Sequence, residues 1–171
     1  MTLIKKNIAF ISAAAVGLLN FIWLIIPYVV EFSNIPFVSK SDNVNGYKVM
    51  GEFWSDFGFG GVMSGLFQIF AVIAGVLLLA VGAVGILRGF DVVKGIPEAV
   101  AGFSLKKIAK ILLLAFVAIE ILLLIFLIVL CVANTSEQSG YQYGVKFSAG
   151  MFVSLAFAII GAALPFVIKE G

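Results

Sequence analysis

The sequence predicts an all-α integral membrane protein: a four-helix transmembrane bundle with both termini cytoplasmic and a long first extracellular loop. Three observations carry that prediction. Hydrophobic residues make up 63% of the chain and charged residues 12%, with a mean hydropathy of +1.20, where a soluble domain carries about 25% charged residues. Four apolar runs, residues 8–30, 60–87, 108–134 and 145–168, each exceed the roughly 20 residues that cross about 30 Å of hydrocarbon as a helix. The basic residues fall unevenly on alternate sides of these runs. Lys5, Lys6, Arg88, Lys94, Lys106, Lys107, Lys110 and Lys169 share the side of the N-terminus, against Lys40, Lys48 and Lys146 on the other. Positive charge accumulates on the cytoplasmic side of plasma-membrane proteins, so both ends are expected there. The whole chain, residues 1–171, reads as a single domain of a plasma membrane.

The first run follows Lys5 and Lys6 as a secretory signal would, but it is longer than a signal core and no small-x-small cleavage pattern follows Val29 and Val30. It is expected as a retained helix. The outer loop, residues 31–59, has turn signals at Asn34-Ile35-Pro36 and Asn45-Gly46. Asn-Gly favours a type I′ hairpin, with Phe37-Val38 before it and Tyr47-Lys48-Val49 after it as short strands. Phe53, Trp54, Phe57 and Phe59 suit an aromatic belt at the outer interface.

The inner loop, residues 88–107, offers Pro97 at a first helical position and Glu98 in the first turn of a short amphipathic segment. Val100 and Phe103 would rest on the membrane surface, and Ser104 would cap the third helix. Residues 135–144 form a short polar outer loop that leaves the last two helices as antiparallel neighbours.

Small residues mark packing faces. Gly150, Ser154, Ala158 and Ala162 recur every fourth residue on the last helix, and Gly75 and Gly82 lie along the second. Such faces let helix backbones approach closely, within one bundle or between copies.

Candidate chemistry concentrates on Glu120, the one carboxylate near the middle of the third run. A charge there costs at least ~2.5 kcal/mol on insertion scales, so it is protonated, partnered or used in transport. Asn20 and Ser154 are expected at similar depth, with Gln68 further out, as an intramembrane polar cluster. A protonated Glu120 donating to Asn20 or Ser154 is the structural alternative to a proton- or cation-linked carboxylate.

No catalytic residue, metal site or cofactor is expected. Histidine is absent and Cys131 is the single cysteine, which removes Ser-His triads, His-based zinc sites, CxxC pairs and intrachain disulfides. Gly58, Gly60 and Gly61 lack the lysine and strand-to-helix setting of a phosphate loop. The net charge of +2 forms no long basic stripe, so nucleic acid is not an expected partner. The bilayer is, with anionic headgroups attracted to Lys106, Lys107 and Lys110.

Gly51-Glu52-Phe53-Trp54 ahead of the second run, in a four-span layout with a long first outer loop, resembles the claudin and peripheral-myelin-protein arrangement, although both loop cysteines of that family are missing. The segment Gly46 to Val49, echoed at Gly144 to Phe147, and the Phe-rich style also resemble small four-span proteins of low-GC Gram-positive bacteria, a resemblance that brings no activity. The function expected is a non-enzymatic membrane component that self-associates or binds a membrane-protein partner. The alternative is a small transporter or channel built around Glu120.

Overall fold

The computed structural model describes residues 2–35, 38–51, 58–92, 95, 99–100, 103–138 and 141–168. The described chain runs α1 (Thr2–Lys6), α2 (Ile8–Trp23), β1 (Pro27–Ile35), β2 (Val38–Asn45), α3 (Gly46–Gly51), α4 (Gly58–Gly89), β3 (Ala99–Val100), β4 (Phe103–Ser104), α5 (Leu105–Ala133), β5 (Ser136–Gln138), β6 (Tyr141–Phe147) and α6 (Ala149–Val167). Three helices, α4, α5 and α6, are long and apolar enough to cross a membrane, which makes this a multi-pass membrane protein. At 16 residues, α2 extends about 24 Å, short of the ~30 Å of a hydrocarbon core.

The chain divides into two compact units. One holds Met1–Phe21, Ala71–Ala118 and Ala156–Gly171, the other Ile22–Phe70 and Ile119–Leu155.

The unit with the chain ends is mostly helical, and its helices are held by backbone approach. A Cβ added to Gly17 would lie 2.6 Å from the Gly75 carbonyl oxygen, and one on Gly82 would strike the Ala14 backbone. Two helices meet there at a distance that only glycine permits. Leu105, Ala109, Leu113 and Phe116 are buried on α5, while Ile111 and Leu114 are exposed, so an inward stripe and an outward apolar face alternate at helical spacing. The outward face is the surface a bilayer covers. Ser104 caps α5 as expected, its Oγ accepting the Lys107 N–H at 3.3 Å. Ahead of it, β3 and β4 pair as a two-residue ribbon, Ala99 with Ser104 and Val100 with Phe103. The amphipathic helical segment expected here has its Pro97 and Glu98 outside the described residues.

The second unit contains a four-stranded antiparallel sheet of order β2-β1-β6-β5. It corrects the expectation of an all-α chain. The sheet draws β1 and β2 from the connection after α2, and β5 and β6 from the connection between α5 and α6. Phe32 stands opposite both Ser41 and Gly144, and Ser33 opposite Lys40 and Tyr143. Lys146 lies over the Phe32 ring at 5.5 Å, a diagonal cation–π contact across β1 and β6. Beneath the sheet, Tyr28, Val29, Val44 and Val145 share a core with Val49, Leu123, Leu127, Leu130, Cys131 and Met151.

Four boundaries change for physical reasons. The first helix ends at Trp23 rather than continuing to residue 30, because Pro27 disfavours helix at the residue before it and brings no N–H of its own. Tyr28 to Val30 then read as a β-forming triplet. Asn45-Gly46 is not a hairpin turn: Asn45 Oδ1 accepts the Lys48 N–H at 3.0 Å and caps α3, so Tyr47, Lys48 and Val49 are helical. The hairpin instead joins β1 to β2 nine residues earlier, where Ile35 pairs with Val38. Residues 135–144 are largely strand instead of loop, and Val145 to Phe147 complete β6 before α6 begins at Ala149.

Candidate functional site

Within the second unit, four polar side chains from four elements converge in the protein interior. Glu120 sits on the buried stripe of α5 that continues through Leu123, Leu127 and Leu130, and is 0% exposed. Its inward placement follows from the helical spacing of that stripe. Ser154, 2% exposed, comes from the small-residue face of α6, and its hydroxyl donates to Glu120 Oε2 at 3.2 Å. Gln68 on α4 is fully buried, its Nε2 beside Gly46 at the start of α3: a Cβ added there would lie 3.4 Å from that nitrogen. Tyr28 of β1 is equally buried, with its hydroxyl close to Ser154, Gln68 and Glu120.

These groups are under-satisfied. No well-formed hydrogen bond reaches Glu120 Oε1, either polar atom of the Gln68 amide or the Tyr28 hydroxyl, although that hydroxyl lies against Ser154 and Gln68. A buried polar atom left unpaired costs about 1–3 kcal/mol, so this concentration of orphans in one place calls for an occupant or a proton.

The expected polar cluster is thus assembled in part. Glu120, Gln68 and Ser154 come together. Asn20 belongs to the other unit, where its amide donates to the Ala71 carbonyl at 3.2 Å and its Oδ1 is unpartnered. Tyr28 was missed because it stands inside an apolar run read as helix. Pro27, one residue earlier, is the signal that marks it as the start of something else.

The packing faces are occupied by the chain itself. Gly150 abuts the Pro27 carbonyl and Ile26, and Gly75 abuts the Asn20 side chain. Ala158 and Ala162 are 2% and 5% exposed. Of the outer-loop aromatics, Phe53, Trp54 and Phe57 lie outside the described residues. Phe59 is 70% exposed and meets Phe126 edge-on with ring centroids 6.0 Å apart.

Two cavities open elsewhere. One of about 830 Å³ lies along the sheet, lined among others by Glu31, Phe32, Lys40, Asp42, Asn134 and Tyr143. The other, of about 450 Å³ in the unit with the chain ends, brings Lys6, Arg88 and Lys106 around Asn7 and Ser104. Asp91 lines it as well, so three basic side chains at helix ends share the opening with one carboxylate. No group of three or more His, Cys, Asp or Glu that could hold a metal ion is present among the described residues.

No family model, curated protein or solved structure matches the chain.

Proposed function

We propose that this protein is a non-enzymatic component of the bacterial plasma membrane, with both termini cytoplasmic, that uses its outer sheet to hold a membrane-protein partner or a second copy of itself. The observation that carries this reading is the groove of about 830 Å³ to which β1, β2 and β6 all contribute. It is composed of strands from two separate connections, an arrangement that spends folding information on a surface outside the helices. Tyr141 and Tyr143 stand 49% and 51% exposed on β6, and tyrosine is a favoured interface residue because it offers large area at low entropic cost. The small-residue helix faces already pack within the chain, which leaves the sheet as the better candidate for contact.

Site-specific photo-crosslinking tests it. A crosslinker at Tyr143 is expected to give one discrete adduct in intact membranes, lost on Lys40→Glu, while the same group at lipid-facing Ile125 gives none. An adduct of twice the chain's mass identifies a second copy, and any other single mass a partner. A Tyr143 pattern no different from that of Ile125 would reject the surface as an interface.

A second reading, proton- or cation-linked transport through Glu120, is favoured by one observation, the unpartnered Oε1 among other unpartnered polar atoms. It predicts that Glu120→Gln abolishes ion flux into proteoliposomes while leaving the chain assembled; unchanged flux would remove it.

A further inference from the structure

Tyr28, Gln68, Glu120 and Ser154 have the composition of a coordination shell, and we infer that they bind one dehydrated monovalent cation of the size of Na⁺. This inference shares Glu120 with the transport reading but concerns equilibrium binding and requires no movement of the ion.

The donor set comes first. The carboxylate, the amide oxygen and two hydroxyls are all hard oxygen ligands, the kind that suit alkali and alkaline-earth ions and not soft metals. They bring a single formal charge, that of Glu120. A monovalent cation neutralises it, whereas a divalent ion would leave an uncompensated positive charge in an interior where unpaired charge is very costly.

Spacing points the same way. A hydroxyl bound to a carboxylate normally approaches to about 2.5–2.7 Å, yet Ser154 Oγ stands 3.2 Å from Glu120 Oε2. Oxygens coordinated at about 2.3–2.6 Å around a shared hard cation lie roughly 3.3–3.7 Å from one another when at right angles and closer at tighter angles, a separation that the Ser154–Glu120 pair approaches. The remaining polar atoms fit that pattern. Gln68 Oε1 and Glu120 Oε1 are buried without a well-formed hydrogen bond, and the Tyr28 hydroxyl lies against Ser154 and Gln68 beside them, which leaves oxygen lone pairs open to a shared cation.

Position matters as well. The four ligands come from β1, α4, α5 and α6, so an ion here ties the start of the sheet to three helices of the same unit. The ion's binding energy then adds to the stability of that unit.

Thermal unfolding of the purified full-length protein in detergent micelles tests this, with NaCl exchanged for choline chloride at constant ionic strength. Wild type is expected to gain a saturating rise in Tm of about 4 °C or more with Na⁺. Glu120→Gln should lose that response, and Ser154→Ala, which keeps the carboxylate, should shift its half-saturation roughly tenfold upward. If Glu120→Gln does not fold, the Ser154→Ala shift decides. A wild-type Tm indifferent to Na⁺ overturns the inference and leaves a protonated Glu120 as the occupant. A Na⁺ response unchanged in Ser154→Ala or retained in Glu120→Gln also overturns it, because the ion then acts elsewhere.

Discussion

Ser154 on α6 and Glu120 on α5 face each other inside the protein at 3.2 Å, and the second oxygen of the same carboxyl has no partner. An acid that hydropathy alone leaves stranded in an apolar helix is therefore turned inward, into a polar neighbourhood, by the packing of a small residue against it.

Ser154→Ala should destabilise the protein by about 1–3 kcal/mol in low Na⁺, because it removes the hydroxyl that serves Glu120 Oε2. Ser154→Leu should cost more, since it also forces bulk into a buried face. Detergent unfolding curves of the two variants give the order, and equal stability to wild type would mean that the two helices do not meet there.

Gly17→Leu should prevent the helical unit from assembling, because a side chain at this position has the Gly75 carbonyl 2.6 Å from its Cβ. The exposed Val84→Leu change on α4 should leave stability within about 0.5 kcal/mol. Yield of monodisperse protein after extraction distinguishes them, and two indistinguishable variants would contradict the close approach.

Much of this interior was legible in the sequence. On α5 the residues Ala109, Leu113, Phe116, Glu120, Leu123, Leu127 and Leu130 repeat every three or four positions, and all are buried. The Gly150, Ser154, Ala158 and Ala162 face and the Ser104 cap were equally readable, because each is a local pattern along one helix. The sheet was not. Tyr28 to Val30 is apolar, and a short apolar run looks the same to hydropathy whether it is helix or buried strand. The pairing of Val29 with Phe147 joins segments far apart in sequence, and no periodicity within either segment encodes it. Asn45-Gly46 misled for a related reason: asparagine serves a helix cap as well as a turn.

Asn45→Ala should cost about 1 kcal/mol through loss of the α3 cap. Asn45→Asp and Asn45→Ser should cost much less, since both side chains cap well. Equal losses for all three would place the role of Asn45 elsewhere than at a helix start.

The distribution of basic residues predicts the sidedness. In intact cells, a membrane-impermeant maleimide should label Ser41→Cys on the exposed part of β2 and spare Lys107→Cys near the start of α5 until the membrane is permeabilised. The reverse pattern would invert the topology.

The central claim is that two separate connections outside the helices fold into one sheet, with Ser33 opposite Tyr143. Paired cysteines test it most directly, in a Cys131→Ser background and under mild oxidation in the membrane. The Ser33→Cys, Tyr143→Cys pair should form an intrachain disulfide rapidly. The Asn34→Cys, Tyr143→Cys pair should not, because a one-residue offset turns the side chain to the opposite face of the strand. Equal crosslinking of both pairs, or of neither, would contradict the sheet.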